Sequence, residues 1–303
     1  MKSIFYCING SVAVSLYFLN TIFWFIPIIF LSLFKLIPLR TSQTWLSKLV
    51  DQCATNWISI NTFNQYIFSR TQIETNLPHK LSDDKWYLVI ANHQSWVDIL
   101  VLQRIFNRKI PFLKFFLKHN LIYVPFLGLA WWGLDFPFMK RYSRAFLKKN
   151  PHLRGKDLET TKKACQKFEN TPVSIMNFVE GTRFQPLKLK HPNTAKLGLK
   201  NTLAPKSGGI AFVLNAMGQR LTEIVNVTIY YPKGIPNYWD FACGRVKYIK
   251  VEIDTINVKT LYAQGYYSDK YFDCEKQKIQ FQTYLNKLWQ EKDARLAAMQ
   301  EKS

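Results

Sequence analysis

Short apolar runs alternate with helix-like patterns through most of the chain. The run at residues 86–91 is wholly apolar and stops at Asn92, which is typical of a buried strand. Further strands are predicted at residues 173–179, 224–231 and 246–253, and helices at residues 44–68, 98–106, 158–168, 209–217 and 271–299. Strands alternating with helices predict an α/β fold. No Gly/Ser-rich linker interrupts residues 41–303, so these residues are expected to form one domain.

The N-terminus carries a long apolar run. There is no charged residue between Lys2 and Lys35, and about 20 apolar residues suffice to cross a bilayer. A cleaved signal peptide is disfavoured, because the run exceeds a normal signal sequence and no small-x-small site follows it. The run also has the length for a helical hairpin bent near Asn20 or Pro27. Residues 1–40 are therefore predicted to be a membrane anchor, either a single helix or a hairpin.

Charge and cysteine distribution bear on the compartment. Three basic residues, Lys35, Arg40 and Lys48, follow the apolar run, whereas only Lys2 precedes it. The positive-inside bias then places the following domain in the cytoplasm. The five cysteines have no CxxC spacing and are odd in number, which favours a reducing compartment over a disulfide framework.

The overall composition indicates an anionic partner. The chain has 41 Lys and Arg against 20 Asp and Glu, a formal charge of +21. Such a balance suits membrane lipid, nucleic acid or a phosphorylated substrate. The aromatic content of 16% favours lipid, because Trp and Tyr concentrate where an apolar body meets a polar surface.

A histidine and a carboxylate follow the first predicted strand, in the sequence Asn92-His93-Gln94-Ser95-Trp96-Val97-Asp98. His93 leaves the strand end and Asp98 lies in the first turn of a predicted helix, so a turn can bring them together. A histidine held by a carboxylate can remove the proton of a hydroxyl, since the carboxylate fixes the tautomer and stabilises the imidazolium. Alternatively, Ser95-x-x-Asp98 is a capping box that only starts the helix.

A second polar turn, Glu180-Gly181-Thr182-Arg183, ends the strand predicted at residues 173–179. Strand ends are where α/β proteins bind ligands. Arg183 offers a planar fork for phosphate, Gly181 lets the backbone approach and Thr182 adds a donor. Glu180 can orient the arginine or bind an acceptor hydroxyl. The alternative is a surface turn with an exposed Glu180 and Arg183 pair.

Together, Asn92-His93-x-Ser95-x-x-Asp98 and Phe178-x-Glu180-Gly181-Thr182-Arg183 resemble the first and third blocks of the glycerolipid acyltransferase family, which includes lysophosphatidic acid acyltransferases. The resemblance runs from about residue 86 to residue 231, and the N-terminal anchor also matches the usual layout of the family. Within the family, the bacterial inner-membrane branch looks closest. The resemblance implies a mixed sheet flanked by helices, a catalytic pair of His93 and Asp98, and a phosphate-binding turn of Glu180, Gly181, Thr182 and Arg183.

Two further segments extend the resemblance. The segment 136–141 is similar to the second block, which implies phosphate binding by Arg141; the alternative is a solvated or lipid-facing basic face. Leu203-Ala204-Pro205-Lys206-Ser207 resembles a Pro-Lys turn of larger lysophospholipid acyltransferases, implying that Lys206 and the next helix N-terminus hold phosphate. The fourth block differs, since residues 224–229 lack the family's proline. No binding role is carried over to that strand.

The expected function is that of a membrane-bound O-acyltransferase on the cytoplasmic side of a bacterial inner membrane. It would move a fatty acyl group from acyl-CoA or acyl-carrier protein to the free hydroxyl of 1-acylglycerol-3-phosphate, near anionic membrane lipid. No cofactor is expected beyond the donor, and no metal, because the remaining histidines have no metal-ligand spacing. The alternatives are another lysophospholipid acceptor, or a basic nucleic-acid- or lipid-binding protein without catalysis; no nucleic acid is expected as partner.

Overall fold

The computed structural model describes residues 2–37, 40–139, 159, 165–168 and 171–301. The described strands are β1 (Gln72–Thr75), β2 (Trp86–Ala91), β3 (Leu113–Phe115), β4 (Leu117–Lys118), β5 (Phe138–Met139), β6 (Ser174–Phe178), β7 (Leu221–Tyr230) and β8 (Tyr248–Asn257). The described α-helices are α1 (Lys2–Phe34), α2 (Arg40–Asn64), α3 (Val97–Phe106), α4 (Leu127–Gly133), α5 (Pro192–Lys196), α6 (Ser207–Met217), α7 (Tyr238–Ala242), α8 (Val258–Ala263) and α9 (Glu275–Glu301).

Six strands form one mixed sheet in the order β1-β8-β7-β2-β6-β3. Strands β7, β2, β6 and β3 are parallel, whereas β8 runs antiparallel to β7 and pairs in parallel with β1. Strand β2 lies in the middle, and five of its six residues are buried. A strand covered on both faces is apolar without alternation, which is the pattern that predicted it. The expected mixed α/β sheet flanked by helices is confirmed.

The register aligns the carboxyl ends of β2 and β6 at one edge of the sheet, beside β7. Ala91, the last residue of β2, lies opposite Phe178 of β6 and Val227 of β7. Strand β2 has a parallel neighbour on each side. The chain places β6 and β3 on one side of β2 and β7 and β8 on the other, so the strand order reverses at β2. In open α/β sheets the crevice for a ligand lies at the carboxyl ends of strands where the order reverses.

Helices cover both faces of the sheet, and side chains alternate between the two cores. Leu88 and Ile90 belong to the core that contains Trp289 of α9, whereas Val89 packs in the other core with Val101 of α3. This alternation follows from the two-residue period of a strand. The C-terminal helix α9 therefore lies on the opposite face of the sheet from α3.

Helix α1 is uninterrupted, with Pro27 inside it, so the expected alternative of a hairpin bent near Asn20 or Pro27 is wrong. It packs along α2, where Asn20 Nδ2 donates to Asn61 Oδ1 over 2.8 Å. Residues Ser3–Phe34 are long and apolar enough to cross a membrane, by length and composition. The outward face of α1 is mainly apolar and exposes Ile4, Ile8, Val12, Leu16, Leu19, Phe23, Ile26, Phe30 and Leu33.

Candidate active site

The His93 imidazole and the Asp98 carboxylate form a hydrogen-bonded pair between β2 and α3. His93 Nδ1 lies 2.9 Å from Asp98 Oδ2, and Asp98 is fully buried while the His93 side chain is 13% exposed. The same Oδ2 accepts the N–H groups of Gln94 and Ser95, at 2.6 and 2.8 Å. Because Asp98 holds Nδ1, the other ring nitrogen, Nε2, is the one that can meet a substrate.

Asp98 also contributes to the start of helix α3, although the capping box is not formed: Trp96 is the N-cap residue, and the Asp98 N–H binds the Ser95 carbonyl and not its hydroxyl. The Asp98 carboxylate accepts the Ser95 N–H, and Ser95 Oγ in turn accepts the Val97 N–H over 3.1 Å. These bonds satisfy amides that a helix N-terminus otherwise leaves unpaired. One carboxylate therefore both orients the histidine and helps to begin the helix.

Tyr231 and Phe178 complete the surroundings of the pair. Phe178 stands in the third block only as its first residue, and the sequence patterns indicated a role at the site for neither residue. The Tyr231 hydroxyl donates to Asp98 Oδ1 over 2.6 Å. Burial, followed by the neighbouring Asp98 charge, raises the pKa of Tyr231 well above its ordinary value, so the phenol keeps its proton. The ring of Phe178 stacks on His93 with centroids 3.8 Å apart and 14° between planes. A polar-tipped aromatic directly after a buried strand was the available signal for Tyr231.

The turn at residues 180–183, the Glu180 turn, lies directly against the turn at residues 92–96, the His93 turn. The His93 N–H donates to Glu180 Oε1 over 3.3 Å, and the His93 carbonyl accepts the Phe184 N–H over 2.7 Å. The other carboxyl oxygen of Glu180 accepts the Leu203 N–H over 3.2 Å. The side chain is 1% exposed, and burial raises the pKa of Glu180 to about 8. Glu180 therefore faces inward and ties together two backbone segments.

The other residues of the turn face outward with their basic neighbours. Gly181 has φ +69°, and a Cβ there would lie 3.1 Å from Lys206 Nζ, so Lys206 extends across the glycine. The Arg183 guanidinium lies over the indole of Trp96, 4.6 Å from its centroid. Lys188, which sequence reasoning did not select, donates to Thr182 Oγ1 over 2.7 Å.

The predicted site residues thus meet at one edge of the sheet, with one exception. Arg141 lies outside the described residues. The outward-facing residues, together with Lys206, make a surface that we call the cationic turn; it comprises Gly181, Thr182, Arg183 and Lys206. It contacts the His93 turn through Glu180 and Phe184. Among the residues with described positions, no group of three His, Cys, Asp or Glu side chains is arranged to hold a metal ion.

The fold and the site define a class. An α/β sheet whose strand order reverses beside a buried carboxylate–histidine pair and a cationic turn is suited to transferring a group to or from an anionic molecule. The Acyltransferase family model matches residues 70–230, just over half of the chain. The chain belongs to this family, which confirms the resemblance to glycerolipid acyltransferases.

Individual relatives agree with the family. The 1-acyl-sn-glycerol-3-phosphate acyltransferase 2 of Brassica oleracea is 27% identical over 158 residues, covering 49% of this chain and 38% of that protein. The 1-acyl-sn-glycerol-3-phosphate acyltransferase of Saccharomyces cerevisiae is 36% identical over 99 residues, 33% of this chain and 28% of that protein. The matches thus span well under half the length of these relatives.

A solved structure has the same fold over nearly the whole chain. It is the crystal structure of the 1-acyl-sn-glycerophosphate (LPA) acyltransferase PlsC from Thermotoga maritima. The TM-score is 0.55 at 16% sequence identity, and the alignment covers 96% of this chain and 97% of that one. At this identity the likeness speaks for the fold alone.

Proposed function

We propose that the protein transfers a fatty acyl group from a thioester donor to the free hydroxyl of 1-acylglycerol-3-phosphate, at a membrane surface. The observation that carries this proposal is the 2.9 Å contact between His93 Nδ1 and Asp98 Oδ2, beside a cationic turn. Membership of the acyltransferase family supports the reaction class, and the names of the relatives support the acceptor.

The proposed chemistry uses His93 as general base. With its Nδ1 proton shared with Asp98, the neutral ring presents Nε2 as an acceptor for the proton of the acceptor hydroxyl. The hydroxyl oxygen bonds to the thioester carbonyl carbon, and the resulting oxyanion collapses as the carbon–sulfur bond breaks. His93 then returns its proton to the thiolate, so the products are an ester and a free thiol. Asp98 stabilises the imidazolium between the two proton transfers.

The acceptor phosphate is proposed to lie on the outward face of the Glu180 turn. Arg183 and Lys206 are exposed there, and Thr182 and the Gly181 backbone add polar contacts. No acidic residue occurs between Glu180 and Glu223, so the surrounding potential is positive and attracts an anionic substrate. Glu180 does not bind the phosphate but fixes the two turns relative to each other from the buried side. Arg141 is proposed as a further ligand of the phosphate.

Membrane association is proposed to rest on α1 and α2. One face of α1 packs on α2, while the exposed face carries the apolar stripe from Ile4 to Leu33. A helix with one face buried in protein and the other apolar is suited to immersion in the lipid interface. The basic residues that follow α1 favour the cytoplasmic side of the membrane, close to acyl-CoA or acyl-carrier protein and to anionic lipid. A bacterial inner membrane is proposed from the resemblance to that branch of the family.

The decisive experiment measures acyl transfer by the purified full chain, reconstituted in vesicles, from acyl-CoA to 1-acylglycerol-3-phosphate. His93→Ala should lower the rate by about 10²- to 10⁴-fold, the usual contribution of general-base catalysis. His79→Ala removes an exposed histidine and should leave the rate unchanged. Equal rates for wild type and His93→Ala would overturn the mechanism. Absence of transfer by the wild type to any lysophospholipid, with either thioester donor, would overturn the function.

A further inference from the structure

The C-terminal helix α9 holds the segment that carries Lys206, although α9 lies outside the family-matched residues 70–230. This segment, residues 200–207, links the basic region after Arg183 to helix α6. Its backbone also reaches the site, because the Lys206 N–H donates to the Val179 carbonyl over 2.9 Å. Whatever fixes this backbone therefore fixes where the Lys206 ammonium group lies.

Asp293 of α9 binds the beginning of the segment. Its Oδ1 accepts the N–H groups of Asn201 and Thr202, each at 2.8 Å, and the Thr202 hydroxyl, also at 2.8 Å. Its Oδ2 accepts the Lys200 N–H over 3.0 Å. Asp293 is 8% exposed, and hydrogen bonds to a charged acceptor are stronger than neutral ones. Four bonds to one carboxylate leave this part of the segment little freedom.

Gln282 of α9 binds the other end of the segment, on both sides of Lys206. Its Nε2 donates to the Pro205 carbonyl over 3.0 Å, and its Oε1 accepts the Ser207 N–H over 3.2 Å. Gln282 and Asp293 are separated by about three helical turns and so share one face of α9. The same helix face therefore holds the segment before and after Leu203, whose N–H binds Glu180.

We propose that Gln282 and Asp293 are positioning residues that place Lys206 across Gly181 and thereby set the affinity for a phosphate-bearing acceptor. This inference rests on the proposed function. The lysine side chain is long and exposed, so its own contacts do not fix it. A backbone held on both sides of Lys206 keeps the ammonium group beside the turn, where a Cβ on Gly181 would lie 3.1 Å from Nζ. Neither residue is proposed to contact the acceptor.

The test compares Gln282→Ala and Asp293→Asn with Lys206→Ala, using the acceptor KM, kcat, and the acceptor Kd measured without a donor. Each variant should raise KM and Kd for 1-acylglycerol-3-phosphate by about tenfold, the worth of one charge-assisted hydrogen bond, with kcat within about twofold. Thr283→Ala removes an exposed side chain next to Gln282 and should match the wild type. Hydrogen exchange of the amides of residues 200–206 should accelerate in Asp293→Asn.

A double-mutant cycle separates positioning from a merely structural role. If Gln282 acts through Lys206, the Gln282→Ala and Lys206→Ala variant should bind the acceptor no more weakly than Lys206→Ala alone. Additive losses would overturn the inference, as would a fall in kcat with KM and Kd unchanged, or faster exchange at residues 200–206 with unchanged Kd. If the wild type binds the acceptor without transferring an acyl group, the proposed function fails, and the inference is still judged on Kd.

Discussion

The hydroxyl of Tyr231 donates a 2.6 Å hydrogen bond to Oδ1 of Asp98, on the side of the carboxylate away from the His93 bond to Oδ2. The two oxygens of one buried carboxylate are therefore divided between a phenol and an imidazole. Tyr231 follows β7 and Asp98 follows β2, so the contact depends on these strands being neighbours. A carboxylate held in this way keeps its plane, and His93 keeps the orientation that its role as a base requires.

Tyr231→Phe should lower kcat by about tenfold while leaving the acceptor KM near the wild-type value, since a hydrogen bond to a charged group contributes about 1.5–3 kcal/mol. The removed hydroxyl orients Asp98 and has no contact with the cationic turn. Steady-state acyl transfer by the full chain in vesicles measures both constants. Tyr230→Phe is the matched control, because Tyr230 packs with Leu296 and Met299 of α9. A changed KM with unchanged kcat would contradict this positioning role.

Ser95→Ala should retain activity within about tenfold of wild type, and no acyl-enzyme should form. Ser95 Oγ donates to the Pro236 carbonyl over 2.5 Å and accepts the Val97 N–H, so its contacts are those of a helix start. Losing such a cap costs about 1 kcal/mol of stability. Mass spectrometry of the protein quenched during turnover checks for a covalent adduct. An acyl group on Ser95 would identify the serine as a nucleophile, and loss of activity as complete as in His93→Ala would contradict its purely structural role.

The sequence predicted those parts of the site that depend on local structure. Strand β2 was predicted with its observed bounds, because a continuous apolar run has few other interpretations. His93 and Asp98 are five residues apart, so one turn decides whether they meet. By contrast, Tyr231 contacts Asp98 across 133 residues, and Asp293 contacts Thr202 across 91. Those contacts depend on the order of the strands and on the placement of α9, and the hydrophobic periodicity of the sequence predicts neither.

Other differences between the predicted and the observed structure also have physical causes. Strand β1 lies at the edge of the sheet, and only one of its residues is even partly buried. It therefore has no apolar pattern from which it could be predicted. Strand β3 has three residues, too few for a period to be recognised. Glu180 was expected to bind substrate or to orient Arg183, but a carboxylate's partners depend on which backbone amides the fold brings beneath it. The helix predicted at residues 158–168 lies mostly outside the described residues.

Arg183→Ala should raise the acceptor KM by at least about tenfold, since charge-assisted bonds from a guanidinium to phosphate are among the stronger ones in proteins. Arg183→Lys should recover only part of this loss, because an ammonium group cannot make the bidentate contact. Lys190→Ala removes an equal charge from the same exposed segment and serves as control. Rates measured over a series of acceptor concentrations give KM for each variant. Equal effects of Arg183→Ala and Lys190→Ala would indicate a general field effect instead of a binding contact.

The raised pKa of Glu180 predicts a pH dependence of stability. Burial raises the pKa of this carboxyl from 4.5 to about 8, so between these values the folded protein binds a proton that the unfolded chain does not. The stabilisation is therefore complete below pH 4.5 and is lost as the pH rises to 8, by up to about 1.4 kcal/mol per pH unit. Glu180→Gln has no titrating group at this position and lacks this dependence.

Urea unfolding of wild type and Glu180→Gln in detergent, at pH values from 5 to 9, measures the effect as the difference between their free energies of unfolding. The stability of the wild type relative to the variant should fall as the pH rises to about 8 and then level off. Burial lowers the pKa of Lys292 to about 7 and the nearby Glu180 raises it, so the difference between the two proteins reports on Glu180 together with the lysine to which it is coupled. Glu275→Gln, at an exposed carboxylate, should show a difference that does not change with pH. A flat difference for Glu180→Gln would mean that Glu180 is ionised throughout, with the amides of His93 and Leu203 outweighing its burial.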